Sequence, residues 1–349
     1  MEENILIIES KRNLNIDLYR GIAIINIIAI HTAFWSGGSY TPHWFQSLTL
    51  LLDVPYFFYI SGRSICFYEG DLFKTTKVLL KTWLKWVFSI TILAFVFRVI
   101  GSEGGVANLK DLFQNYFFNV SFQSVAVLAG STWFMPFYFV IIPINQIILA
   151  VMSQTKHKYE RYKKWYCSML LAAFVWVITN HDLFGINQYY LFYSFFLMLG
   201  VLNSTLSKKI VKRPIQAIFC TCILYVVFCY LLDLPYIILQ QSKFPPNLPY
   251  LFASMLLIII TVSIDKYIKN PNKCLIHIGQ NTIFYFIGQG IGSSLIYFIL
   301  PRISINIWFL KWLAVFIINL IITIIISELL YLSYTVFIKA KKYIKPFVL

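Results

Sequence analysis

Apolar runs near the length of a membrane-crossing helix recur along the whole chain, separated by short charged or Pro-, Gly- and Asn-rich breaks. A helix needs about 20 mostly apolar residues to cross the hydrocarbon layer. The pattern predicts ten such helices, over residues 16–36, 46–68, 78–100, 132–152, 165–180, 185–202, 214–234, 247–264, 278–300 and 307–336. The fifth and sixth are the shortest. The longest connection, residues 101–131, opens with Gly101, Gly104 and Gly105. Its later part, 109–122, mixes Leu, Phe and Tyr with Lys110, Asp111, Gln114 and Asn115, a composition that suits an interfacial helix. No loop is long enough for a soluble domain, so residues 1–349 read as one membrane domain.

Composition agrees with this pattern and removes the soluble alternatives. Of the 349 residues, 59% are hydrophobic and only 12% charged, whereas soluble domains carry roughly a quarter. The 29 Lys and Arg against 14 Asp and Glu give a net charge of +15, which in a soluble chain would suggest nucleic acid. The distribution excludes that reading. Basic residues gather in alternate connections: Lys11 and Arg12; Lys74 and Lys77; Lys156, Lys158, Arg161, Lys163 and Lys164; Lys208, Lys209, Lys212 and Arg213; Lys266, Lys269 and Lys273; and Lys339, Lys341, Lys342 and Lys345. The opposite connections hold Lys110, Lys243 and Arg302. Cytoplasmic loops accumulate Lys and Arg, so ten spans with both termini in the cytoplasm are expected, in a multi-pass protein of the cell membrane. The run from Gly21 to Ile30 is followed by His31 and Trp35 with no A-x-A site, so the first helix is expected to stay in the protein. Six Cys form no CxxC pair, and no His has a metal-ligand companion at helical spacing, so neither disulfides nor a metal is expected.

Ionisable side chains within apolar helices are costly and mark function by default. The first helix, NIDLYRGIAIINIIAIH, carries Asp17, Arg20 and His31. His31 lies eleven positions after Arg20, which is three turns plus roughly 20° and about 16 Å of rise, so both lie on one face. A cation and an imidazole so aligned suit the two ends of one long ligand. His31 has the chemistry of a general base. The second helix adds Asp53 and Arg63 in DVPYFFYISGR; Asp53 suits orienting His31 or carrying a proton, or a structural pairing, and Ser61-Gly62 permits close backbone approach. Lys81 and Lys85 lie one turn apart near the basic side of the third helix, and Glu328 near that side of the tenth. Gly288 and Gly292 have the small-xxx-small spacing of helix packing.

These segments resemble the acyltransferase 3 family, ten-helix membrane proteins that acylate cell-surface sugars. NIDLYRGIAIINIIAIH is similar to the family's first-helix pattern, an Asp, then Arg-Gly, with His after ten intervening residues. PYFFYISGR resembles the F-F-x-x-S-G segment through Phe57, Phe58, Ser61 and Gly62; STWFMPFYFVIIP resembles the W-F segment through Trp133 and Phe134; IGQNTIFYFIGQ resembles a late L-G-x-x-S-x-x-x-Y-x-x-H segment through Gly279, Thr282 and Phe286. Two positions depart. Gln289 stands where many members carry His, and Lys74, Lys77, Lys81 and Lys85 replace an Arg-x-x-Arg at the third helix.

The resemblance implies an O-acetyltransferase with acetyl-CoA as cytoplasmic donor and a hydroxyl of a surface polysaccharide, or of its lipid-linked precursor, as acceptor. His31 and Asp53 then form the catalytic pair, His31 as base or transient acyl carrier and Asp53 as its orienter. Arg20, Arg63, Lys81 and Lys85 are the candidate donor-binding residues. Membrane lipids are the remaining partner, and nucleic acid is not expected. The alternative from another class is a transporter or flippase for a lipid-linked sugar, with Arg20, His31 and Asp53 along its path; no inverted repeat supports it.

Overall fold

A computed structural model describes residues 13–36, 40–66, 72–100, 125–155, 158–179, 187–203, 207, 210 and 212–344. The expected interfacial helix at 109–122 lies outside these residues, as do Lys11, Arg12, Lys110, Lys156, His157, His181, Lys208, Lys209 and Lys345. The described residues fold into helices joined by short turns: α1 (Leu14–Trp35), α2 (His43–Thr49), α3 (Val54–Ile65), α4 (Leu72–Ile100), α5 (Ala126–Ser131), α6 (Met135–Ser153), α7 (Tyr159–Thr179), α8 (Asn187–Val201), α9 (Pro214–Leu231), α10 (Leu248–Asp265), α11 (Lys273–Gln280), α12 (Thr282–Ile299) and α13 (Trp308–Ile344). Among the described residues each of the ten apolar runs contains helix. Among the described residues seven helices or helix pairs are long and apolar enough to cross a membrane: α1, α4, α5 with α6, α9, α10, α12 and α13. On α9, Ile215, Phe219, Tyr230 and Leu231 point outward. An outer surface that apolar would be left uncovered in water and is satisfied by lipid.

The second run departs from a continuous helix. Helix α2 passes through a tight turn, Leu50–Leu52, and the chain becomes extended at Asp53 before α3 begins with Pro55 in its first turn. Proline has no N–H to return to the preceding turn and favours a helix start at this position. Carbonyls freed at such a break must find donors in the bundle. The Asn26 amide of α1 supplies them, donating to the carbonyls of Thr49 at 2.7 Å and Leu52 at 2.8 Å.

Helix α1 sits at the centre, against α3, α11, α12 and α13. Glycines allow the closest helix crossings. A Cβ on Gly21 would strike the Leu275 carbonyl, and one on Gly279 the Asp17 carbonyl, so α1 and α11 meet backbone to backbone. Gly62 and Gly200 bring α3 and α8 together in the same way, against the carbonyls of Leu197 and Tyr59. Gly288 and Gly292 face Ser327, Asn319 and Thr323 of α13, the packing role their spacing predicts. Polar side chains complete this interface: Asn319 donates to Thr32 of α1 and to Ser293 of α12, both at 3.0 Å. These contacts fix the rotation of α1, and with it the direction of His31.

Candidate functional site

Two polar centres lie along α1, one at each end. Near its start, Arg20 donates to Asp17 at 3.3 Å and to the Ser64 hydroxyl of α3 at 2.8 Å, and its side chain stays 27% exposed. Beside it Arg63 is buried and donates from Nη2 to Asp265 Oδ2 at 2.8 Å, while its guanidinium lies over the Tyr19 ring. The other Asp265 oxygen accepts from the Tyr19 hydroxyl at 2.9 Å and the Asn15 amide at 3.3 Å. Arg63 Nη1 is buried and has no hydrogen-bond partner among the described residues. Gln280 donates to Asp17 from the end of α11. Lys85 places its ammonium 5.5 Å from the Phe284 ring centre at the start of α12, and Lys81 is exposed on α4. The structure thus brings Arg20 and Arg63 to the same end of α1, with Lys85 near the α11–α12 corner that borders it.

At the other end a cavity of about 70 Å³ is lined by His31, Trp35, Asp53, Ser131, Trp133, Phe134, Gln240, Lys243, Phe244 and Phe286. Its elements come from distant parts of the chain: α1, the break before α3, the α5–α6 junction, the segment before α10, and α12. His31 Nδ1 lies 2.5 Å from Gln289 Oε1 on α12. An amide oxygen only accepts, so Nδ1 carries the proton and Nε2 is left with its lone pair. Among the described residues no hydrogen bond is made at Nε2, which leaves it available to abstract a proton. Gln289 is fully buried, and its amide nitrogen has no hydrogen-bond partner among the described residues.

Asp53 lines the same cavity, but the group on His31 Nδ1 is Gln289. The Asp53 carboxylate is instead held by Lys243 Nζ at 2.6 Å and the Tyr250 hydroxyl at 2.9 Å. Asp53 and Lys243 are 4% and 6% exposed, so the ion pair is withdrawn from water. The Lys243 ammonium also faces the rings of Trp133 at 5.5 Å and Phe244 at 5.0 Å. Sequence reasoning missed Lys243 and the direct role of Gln289. Lys243 did carry a signal, since it is one of few basic residues on the side where Lys and Arg are scarce. At Gln289 the signal was the departure itself, an amide where an imidazole is common.

Near the Arg20 end a further polar cluster joins α11, α12 and α13: His277 Nε2 lies 2.8 Å from Glu328, which also accepts from the Tyr285 hydroxyl at 2.5 Å. Glu328 thus ties three helices together. Among the described residues no group of three or more His, Cys, Asp and Glu gathers that could hold a metal ion.

A family model described as an acyltransferase domain, Acyl_transf_3, matches residues 13–328, nearly the whole chain. No curated protein and no solved structure matches it. The matched region runs from the N-cap of α1 into α13 and takes in His31, Gln289 and the whole cavity. With its apolar helices and this match across both polar centres, the chain belongs to the acyltransferase 3 family and is a multi-pass membrane acyltransferase.

Proposed function

We propose that the protein is an O-acetyltransferase that moves acetyl from acetyl-CoA to a hydroxyl of a cell-surface polysaccharide or its lipid-linked precursor. The observation that carries the reading is the His31 imidazole, fixed at Nδ1 by Gln289 and open at Nε2 in a cavity, on the same helix as Arg20. The eleven-residue separation is about 16 Å of helix. Coenzyme A has a polyanionic nucleotide and an extended arm ending in the thioester, so its phosphates suit the Arg20 and Arg63 end and its acyl group the His31 end. Guanidinium groups bind phosphate through paired N–H donors, and Lys85 adds positive charge nearby. On the charge distribution of the loops, the Arg20 end faces the cytoplasm, where acetyl-CoA is made, and both termini lie there with ten spans between them.

In the transfer itself, His31 Nε2 takes the proton of the acceptor hydroxyl as its oxygen attacks the thioester carbonyl. A tetrahedral intermediate forms, the C–S bond breaks, and the proton passes from Nε2 to the departing thiolate, releasing coenzyme A and an acetyl ester. Gln289 accepts from Nδ1 throughout, keeping the ring in one tautomer as it gains and loses charge at Nε2. Trp133, Phe134 and Phe286 exclude water that would hydrolyse the donor.

The test uses membrane vesicles that carry the cells' own glycans, supplied with acetyl-CoA labelled in the acetyl group. The expected result is alkali-labile label in glycan that depends on His31. Glycan ester content that is the same with and without the protein overturns the reading, and is the result expected of a flippase.

A further inference from the structure

We propose that Lys243 donates a hydrogen bond to the oxyanion formed in acyl transfer at His31, and that Asp53 and Tyr250 are positioning residues that hold its ammonium at the cavity wall. The inference rests on the acyltransferase reading above and adds to it the group that stabilises the transition state.

The placement of Lys243 carries the argument. Its ammonium lines the cavity that holds His31 and is almost fully buried. One N–H meets Asp53 Oδ2 at 2.6 Å, and the remaining donors have no protein acceptor among the described residues. The rings of Trp133 and Phe244 flank the ammonium. A buried ion pair is a poor stabiliser compared with apolar packing of the same volume, so a merely structural link between this segment and α3 does not call for one. Asp53 gives a second indication. It stands at the N-cap of α3, where a carboxylate ordinarily accepts from the helix's free N–H groups, yet its side chain makes no cap bond. Its oxygen is directed to Lys243 and Tyr250 instead. A local rule broken in this way marks a site where another demand prevails.

The segment that carries Lys243 is anchored, as preorganised electrostatic stabilisation requires. Ser47 of α2 donates to the Ile237 carbonyl at 2.7 Å and accepts from the Leu239 N–H at 2.9 Å, and Gln188 of α8 donates to the Pro246 carbonyl. As the acceptor oxygen bonds to the thioester carbon, the carbonyl π electrons move onto oxygen. An N–H of Lys243 meets that charge, and Lys243 keeps its proton. When the C–S bond breaks, the carbonyl re-forms and the thiolate takes the proton from His31 Nε2.

Removing Lys243 alone leaves Asp53 charged and buried, so the decisive variant is Lys243→Met/Asp53→Asn, which removes both charges. In vesicles supplied with labelled acetyl-CoA, it is expected to insert and melt like the parent while kcat falls about 10²- to 10³-fold, the usual cost of losing an oxyanion donor. The KM for acetyl-CoA, set at the Arg20 end, stays within about threefold, because a contact made only in the transition state does not alter ground-state binding. Lys243→Arg keeps a cation and is expected to recover part of the rate. A double variant with kcat within threefold of the parent overturns the proposal and makes the pair a structural link. Should the double variant fail to insert, Tyr250→Phe decides: a fall of roughly three- to tenfold in kcat at constant KM, the size of one hydrogen bond, supports the positioning role, and an unchanged kcat overturns it. His31→Ala measured alongside separates the two readings. An inactive His31→Ala with an active double variant removes only Lys243 from the mechanism, whereas an active His31→Ala removes the base and the oxyanion donor together.

Discussion

The two ends of α1 satisfy their polar groups in opposite ways. At the Arg20 end each guanidinium meets a carboxylate, Arg20 with Asp17 and Arg63 with Asp265; Ser64 also accepts from Arg20, and Tyr19 and Asn15 donate to Asp265. At the His31 end the imidazole meets a neutral amide, and the nearby carboxylate is committed to Lys243. Charges already balanced by carboxylates suit a place that holds a polyanion and lets it go, since an incoming phosphate replaces interactions that already exist. A ring fixed by a neutral acceptor, with its other nitrogen open, suits a place where a proton must move. The difference lies in the partners, as both groups sit on one face of one helix.

The comparison first requires that the two ends lie on opposite sides of the membrane. In a cysteine-free background, His43→Cys, beside the His31 end, should react fully with an impermeant thiol reagent in intact cells, and Arg213→Cys should not react until the membrane is opened. The reverse labelling would invert the orientation and place Arg20 away from the cytoplasm.

The next largest effect falls at the reacting end. His31→Ala should lower acetyl transfer by about 10²- to 10⁴-fold with insertion intact, the contribution of a positioned general base; transfer within threefold of the parent would remove His31 from the chemistry. Arg20→Ala should act differently, raising the KM for acetyl-CoA more than it lowers kcat. A charge-assisted contact to phosphate is worth about 1.5 to 3 kcal/mol, so kcat/KM should fall roughly 10- to 200-fold. Arg20→Lys should recover only part, because the ammonium lacks the planar fork. A collapsed kcat at constant KM would move Arg20 to the reacting centre and erase the contrast.

Smaller effects sharpen it. Gln289→Leu leaves Nδ1–H without an acceptor and should lower kcat about tenfold, the scale of one hydrogen bond to a group that becomes charged, while the KM for acetyl-CoA holds. Ser64→Ala, which releases Arg20 Nη2, should change only the KM for acetyl-CoA, by roughly threefold. If either variant moved the opposite kinetic constant, the division between a holding end and a reacting end would fail.

The legible part of this molecule is local. Runs of Ile, Leu and Phe specified helices because hydrogen bonding within a helix is the ready way for a backbone to satisfy itself in lipid. The alignment of Arg20 with His31 followed from helical rise and pitch, since both belong to one uninterrupted helix. The second run was less legible, because the break at Asp53 depends on Asn26 of another helix to take up its carbonyls.

What surrounds the key groups was decided only in three dimensions. His31 and Gln289 are 258 residues apart, Asp53 and Tyr250 197, and Arg63 and Asp265 202. Nothing in the periodicity of one helix states which side chain of another will face it. That depends on helix crossings, set here by close backbone contact at Gly21 with Leu275 and at Gly279 with Asp17, and by the polar contacts of Asn319. Local pattern was enough to foresee apolar helices, with a cation and an imidazole on one face of the first. That an amide holds the imidazole and that Asp53 serves a lysine came only from folding, because a side chain's partner is fixed by how the helices cross.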